Sequence, residues 1–439
     1  MKPFGLILVY QAITFLGFIF SPFDWQLESY LPVAIFMFAV MAFECVGALA
    51  GNTVPLSHQP HDCARLVKFG ALLGLALFLP SLYFYTGKSL LDFAEVIGRQ
   101  EENYTEMLQI IAEPDATRKL FALLRGLLAP LTFAVLPLAV LRWKSISRTT
   151  RGLALLYVAS AFVFSAYRGT DKEMGEFILA AVPAFLVLLF RMKSLAVRRR
   201  LMLKSLVLLV LVGALGVTVF AARKAGRMGS EDAFCIYDTA CVPPDGLLYS
   251  ALPEPLAFAA SMLNGYTSQG YYGLSVALNE QFHSTLGLGH SAFVMSLYSD
   301  STGDTSLYEN SLTGQLKDNG WDDAAVWSTM YPSIANDISF WLTPAAMAVF
   351  AFLFVVFWRK ATAGGSDSAA MVFVYLFILF AYSPANNQVA QSVDGYVGFW
   401  FWLIVASRRR SAPAMLSAKA AVGNPARPMV KQIPVLTVV

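Results

Sequence analysis

Charged residues are scarce in this chain: they make up 14% of 439 residues, where a soluble domain carries about 25%. That deficit excludes an ordinary soluble fold and points to the membrane class. The net charge is only +3, and no nucleic-acid partner is expected. Cysteine and histidine number four each, and no set of them has the close spacing of a zinc site, so neither metal nor cofactor is expected. The Gly-rich stretch near residue 270 is not a phosphate-loop motif. No internal repeat is visible. A cleavable leader is not expected either, because Phe4–Phe20 follows Lys2 almost at once and lacks a small-residue cleavage site; it reads as a retained first helix.

Apolar residues are what the chain has in excess. They reach 57%, with 34 Phe and 18 Tyr, and the mean hydropathy is +0.57. Runs of about 20 apolar residues cross a hydrocarbon core. Ten are expected: Phe4–Phe20, Tyr30–Ala50, Leu66–Tyr85, Leu120–Leu141, Gly152–Tyr167, Asp171–Phe190, Leu203–Ala222, Ile338–Trp358, Ala369–Tyr382 and Asn387–Ala406. The fold class is therefore all-α and polytopic. Lys/Arg placement sets the direction. Arg142, Lys144, Arg148 and Arg151 share one connection, and Arg191, Lys193, Arg198, Arg199, Arg200 and Lys204 another. Arg359 and Lys360 follow the eighth run, and Arg408 to Arg410 the tenth. All fall on one side if both termini are cytoplasmic, whereas the opposite connections carry Asp24, Glu28, Glu95, Glu101, Glu102 and Glu106.

Residues 1–410 thus form a membrane domain with two large outer segments, 86–119 and 223–337, both expected to contain helices. The first has amphipathic spacing suited to the membrane surface. The second is too long for an idle loop. Residues 411–439 are Ala- and Pro-rich without periodicity and read as a disordered cytoplasmic tail. Cys235 and Cys241 face the outer, oxidising compartment in this topology. A bridge between them is the favoured reading, with two unpaired thiols as the alternative.

Three polar clusters sit where lipid should exclude them, all toward the outer side. The turn Tyr167–Glu173 carries Arg168, whose planar fork suits a phosphate or diphosphate, and Lys172, beside a helix N-terminus. The same residues also fit a local ion-pair cap, Arg168 with Asp171 and Lys172 with Glu176. Arg223, Lys224 and Arg227 defy the positive-inside tendency and suit either an anionic ligand or lipid headgroups. Asn387, Gln391 and Asp394 fall at i, i+4 and i+7, one face of a helix. They suggest an outward-opening polar cavity, unless the helix is shorter and they lie in a plain loop. The inner halves of the spans are apolar, which suits an enzyme or receptor better than a transporter.

The long outer segment contains Gly265-Tyr266-Thr267-Ser268-Gln269-Gly270-Tyr271-Tyr272-Gly273-Leu274-Ser275, then His283 and His290 in a Gly-rich run, then Trp327-Ser328-Thr329-Met330-Tyr331-Pro332-Ser333-Ile334-Ala335-Asn336-Asp337 leading into the eighth span. Aromatic rings stack on sugar faces and amides bond hydroxyls, so Tyr271, Tyr272, Tyr331, Asn336, Asp337, Asn387, Gln391 and His283 are candidate binding groups. Together with the Arg-containing turn YRGTDK and the many-span plan, these stretches resemble the Wzy-type O-antigen polymerases, which join oligosaccharide repeat units. The chain is more distantly similar to the O-antigen ligases. The resemblance covers the chain from about the fourth to the eighth span.

The resemblance implies a GT-C-like membrane glycosyltransferase in the bacterial cytoplasmic (inner) membrane. Its donor and acceptor would be undecaprenyl-diphosphate-linked glycans of O-antigen, capsule or exopolysaccharide assembly. Membrane lipid, a chain-length regulator and a flippase are the further partners it suggests, and no metal or cofactor is implied. Arg168 corresponds by position to a first essential arginine, and Arg223 or Arg227 to a second, while His290 matches the ligase histidine by general position. These basic groups would stabilise the departing diphosphate. His290, or else Asp394 or Asp337, would take the acceptor's proton. The alternatives are another lipid-linked-sugar glycosyltransferase or ligase and, in a different class, a polysaccharide or lipid transporter.

Overall fold

The computed structural model describes residues 2–56, 61–96, 98–112, 115–170, 172–205, 207, 213, 216, 235–237, 240–243, 245–322 and 326–408. Arg223, Lys224, Arg227, Asp171 and the tail beyond 410 therefore lie outside the described residues, as does most of the expected span Leu203–Ala222.

The helices run α1 (Lys2–Ile19), α2 (Leu31–Thr53), α3 (Ala64–Thr86), α4 (Phe93–Val96), α5 (Gln100–Ala112), α6 (Ala116–Thr132), α7 (Val135–Arg142), α8 (Arg148–Tyr167) and α9 (Lys172–Arg191). A helix α10 occupies 195–205. There follow α11 (Leu247–Ala251), α12 (Glu254–Ala277), α13 (Ala292–Thr302), α14 (Ser306–Glu309), α15 (Leu312–Asp318), α16 (Tyr331–Thr362), α17 (Asp367–Ala381), α18 (Gln388–Gln391) and α19 (Val393–Ser407). The β-structure among the described residues is one short antiparallel pair, β1 (Cys235–Tyr237) and β2 (Ala240–Cys241). Cys235 and Cys241 are joined by a disulfide across it.

Six stretches are long and apolar enough to cross a membrane: α2, α3, α6 with α7, α8, α9 and α16. Three further expected spans are shorter apolar helices, α1, α17 and α19. Fifteen helical residues cover about 23 Å, less than the roughly 30 Å hydrocarbon core.

α1 shows why this bundle belongs in lipid. Its buried face carries Phe4, Ile7, Gln11, Thr14 and Phe18, and its exposed face Leu6, Val9, Ile13 and Leu16. The polar groups point inward and the outer stripe is wholly apolar, the reverse of a water-soluble helix. With no hydrophobic drive between helices in lipid, close packing must hold them. α2 and α16 meet through glycine: a Cβ on Gly47 would collide with the Ala348 carbonyl, and one on Gly51 would lie 2.8 Å from the Phe352 carbonyl oxygen.

α9 runs from Glu173 at one end of the bundle to Arg191 at the other. At the Arg191 end, fully buried Asp367 accepts from Arg142 Nε at 2.7 Å and Arg191 Nη1 at 3.1 Å, and from the Cys63 amide at 3.0 Å. The two most basic connections are thus tied to one carboxylate.

The Gly- and Tyr-rich stretch from Gly265 to Ser275 is helix, not loop: it lies inside α12. Its glycines admit neighbouring backbone. A Cβ on Gly270 would strike the Pro384 carbonyl, and one on Gly273 would lie 2.7–2.8 Å from Ser328 and Trp327 backbone atoms.

Candidate functional site

At the end of the bundle opposite Asp367, residues 86–96 and 98–112 lie against the Arg168 turn. Ser89 and Asp92 form a capping box on the 3₁₀ turn Leu90–Asp92. Lys88 holds α5 in place, donating to Asn103 Oδ1 at 2.7 Å and pairing with Glu106 at 2.7 Å. Asp115 caps α6 by accepting from the Arg118 amide at 2.8 Å. The turn after α8 needs Gly169 at φ +62°, where a Cβ would collide with the Gln100 carbonyl. α5 can therefore lie directly on the Arg168 turn.

Beside the Arg168 turn lies a cavity of about 340 Å³, walled by α3, α6, α8, α9, α17, α18 and the start of α19. Its charged lining is Arg125, Arg168, Glu173, Glu176 and Asp394, with Gln388, Tyr85, Tyr157 and Tyr375. The two guanidiniums share one aromatic pair. Arg125 Cζ stands 5.1 Å from the Tyr85 ring and 5.2 Å from Phe164, and Arg168 Cζ stands 5.8 Å and 5.4 Å from the same rings. Cation–π contact orients both heads without using their N–H donors.

The two arginines differ in what else they hold. Arg168 pairs with Glu173, and its Nε and Nη2 donate to Met107 Sδ at 3.4 Å. Thr170 Oγ1 donates to the other Glu173 oxygen at 3.0 Å. The partner of Arg168 among the described residues is Glu173; Asp171, its partner in the cap reading, lies outside them. Lys172 opens α9, and Glu176 accepts from Gln388 Nε2 at 3.4 Å. Arg125 forms no ion pair within 4.0 Å among the described residues. Asp394 is its leading electrostatic partner across the cavity.

The continuous polar stripe expected along 387–406 is interrupted. α18 ends at Gln391, Ser392 is extended (φ −123°, ψ 155°), and α19 starts at Val393. Asn387, Gln391 and Asp394 consequently do not share one helical face. Asp394 lines the cavity, Gln391 is exposed, and Asn387 Nδ2 donates to the His290 carbonyl at 3.1 Å.

His290 forms a second polar centre, outside the cavity lining. Its Nδ1 lies 2.9 Å from Asp337 Oδ2, and its Nε2 lies 3.3 Å from the Tyr396 hydroxyl. An Nδ1–H donor to the carboxylate leaves Nε2 as the basic nitrogen. Asp337 also accepts from the Gly289 amide at 2.8 Å, the His290 amide at 3.0 Å and the Thr285 hydroxyl. It thereby holds the whole 285–290 loop. Asn336 is fully buried beside it and ties Gly289 to Thr313, both at 3.1 Å.

The remaining candidates are dispersed. Tyr271 is fully buried, its hydroxyl 2.9 Å from Thr14 Oγ1. Tyr272 stacks on Trp25 and meets Trp321 edge-on. Tyr331 is buried against Phe36. His283 is exposed. These tyrosines are packing groups here, and the aromatic-plus-glycine pattern marks close helix contacts as readily as a sugar platform. Sequence reasoning missed Arg125. The signal was present as a lone arginine inside the expected span Leu120–Leu141, where a charge is by default a functional pointer.

No family model, no curated protein and no solved structure matches this chain.

Proposed function

We propose that this chain is a membrane glycosyltransferase that polymerises undecaprenyl-diphosphate-linked oligosaccharide repeat units at the outer face of the bacterial cytoplasmic membrane. In this reading it has ten spans, a GT-C-like architecture and both termini in the cytoplasm. The observation that carries the proposal is the cavity at the Arg168 end of the bundle. There Arg125, bearing no ion pair among the described residues, faces Asp394 beside the Arg168–Glu173 pair. A cavity walled by apolar helices, with two guanidiniums in its lining, suits an amphiphilic anion such as a lipid diphosphate.

The chemistry follows from those groups. The anomeric C–O bond to the lipid diphosphate breaks and leaves negative charge on the departing oxygen. Arg125 neutralises that charge directly, and Arg168 does so once the diphosphate displaces Glu173. The acceptor hydroxyl forms the new C–O bond and gives its proton to Asp394. Asp394 is preferred to His290 as base because it lines the same cavity as the arginines. A diphosphate is already a good leaving group, so positioning and charge should outweigh acid catalysis.

Purified protein in vesicles, given a synthetic undecaprenyl-diphosphate repeat unit, should yield a ladder of lipid-linked products. Transfer of a single sugar or onto a different acceptor would support the glycosyltransferase or ligase alternative. Movement of lipid-linked glycan across the bilayer without transfer would overturn the enzyme reading in favour of a transporter.

A further inference from the structure

Away from the cavity, the bundle encloses a carboxylate that the transfer chemistry does not use. Glu44 lies midway along α2 and is fully buried. Its Oε1 accepts from Gln11 Nε2 of α1 at 3.2 Å. Its Oε2 has no hydrogen-bond partner, and neither has Gln11 Oε1, while the Tyr331 hydroxyl at the start of α16 and the Ser383 hydroxyl after α17 have only each other. All four residues are fully buried. Tyr331 lies beside Ser383 and interacts electrostatically with Glu44, as does Tyr271.

The other groups around Glu44 are already engaged or neutral. Tyr10 donates to the Ala381 carbonyl at 2.8 Å, and Tyr271 shares a hydrogen bond with Thr14. Glu44 forms no ion pair within 4.0 Å among the described residues. On α16 the cation beside α2 is Arg359, which caps the far end of α2 through the Gly51 and Val54 carbonyls at 2.8 and 2.9 Å. That is about two turns beyond Glu44. Lys360 stands over the Phe357 ring.

A bare carboxylate in such surroundings is among the costliest groups a fold can hold, and buried polar atoms are normally satisfied. The orphan set also has a defined chemistry: two acceptors, Glu44 Oε2 and Gln11 Oε1, with two hydroxyls that can turn a lone pair inward. We propose that Glu44, Gln11, Tyr331 and Ser383 form a buried cation site. It takes one positive charge, as a proton on Glu44 Oε2 or as a dehydrated alkali ion between Oε2 and Gln11 Oε1. A proton would convert Oε2 into the donor this set needs, while an alkali ion would be coordinated by the same oxygens. The site is separate from the arginine cavity, so it stands whether or not the transferase reading does.

The test uses the purified full-length chain in lipid nanodiscs at neutral pH, in sodium, potassium or choline chloride. Infrared spectra are taken for wild type and Glu44→Gln, alongside thermal unfolding. A bound proton predicts a protonated-acid carbonyl stretch in wild type that is missing from Glu44→Gln, with one melting temperature in all three salts. A bound alkali ion predicts carboxylate bands and a melting temperature several degrees higher in sodium or potassium than in choline, a difference lost in Glu44→Gln. Gln11→Met removes only the neutral acceptor and serves if Glu44→Gln does not accumulate. It should shift the frequency of the acid band, or else abolish the alkali effect. Carboxylate bands from Glu44 with no dependence on the alkali ion would overturn the proposal.

Discussion

Replacing Arg125 is the sharpest test of the cavity, because Arg125 forms no ion pair among the described residues and lines the space together with Asp394. Its loss leaves one guanidinium, already paired with Glu173, against the carboxylates of Glu173, Glu176 and Asp394. A unit charge about 4 Å from another at an effective dielectric near 20 is worth about 4 kcal/mol. At 1.36 kcal/mol per decade that is about three decades of rate if it acts only in the transition state. Removal of a single oxyanion donor typically costs about 10²–10³. We therefore predict that Arg125→Ala lowers transfer by about 10²–10³. Arg125→Lys, which keeps the charge and loses the planar fork, should fall about tenfold. The assay is the lipid-linked ladder, read against protein level and melting temperature. Loss of the Tyr85 and Phe164 contacts should cost roughly 2 kcal/mol or more, offset by removal of a charge that forms no ion pair among the described residues, so the variant should still accumulate. Full-length polymer at normal levels from both variants would refute the reasoning and move the diphosphate site elsewhere.

Three further outcomes follow from the packing and topology. Gly47→Leu drives a side chain into the Ala348 carbonyl, and overpacking costs typically 1–3 kcal/mol or more; detergent-solubilised protein should melt well below wild type, whereas Gly5→Leu, which meets nothing within 4 Å, should not. Mass spectrometry of unreduced protein should find Cys235 linked to Cys241, and Cys235→Ser should lose roughly 2–3 kcal/mol locally; recovery of both as free thiols would dispose of the bridge. Single cysteines at Asp24, Glu102 and Asp304 should react with an impermeant thiol reagent in intact cells while one at Ser194 should not, and labelling of Ser194 would reverse the orientation.

How far the sequence could be read follows from what each signal encodes. Apolar run length reports directly on helices that face lipid, so the six long spans were legible within a few residues at most ends. Their partners were less so. α19 looked like a 20-residue helix because Asn387–Ser392 is polar but contains nothing that forbids helix, and the break at Ser392 is imposed by tertiary contacts: Ser291 donates to the Ala390 carbonyl at 2.6 Å and Asn387 to the His290 carbonyl. The glycines of α12 misled in the opposite sense. Glycine disfavours helix locally, and the backbone of Pro384, Ser328 and Trp327 pressed against Gly270 and Gly273 leaves no room for a side chain there.

The same distinction separates Arg168 from Arg125. Arg168 announced itself by standing in a turn among other charges, and those neighbours are why it is engaged: Glu173 is five residues away and Met107 lies on the overlying α5. Arg125 stood alone in an apolar run, which made it easy to overlook. Isolation in sequence is also why nothing local neutralises it. A charge with no partner within a few residues must find one through the fold, or keep its donors for a ligand. Asp394, 269 residues away along the chain, is the group the fold brings to the same cavity. It forms no ion pair within 4.0 Å among the described residues, so both charges line the cavity without closing on each other. For a bundle otherwise closed by glycine contacts and aromatic stacking, that open pair is the feature that demands a function.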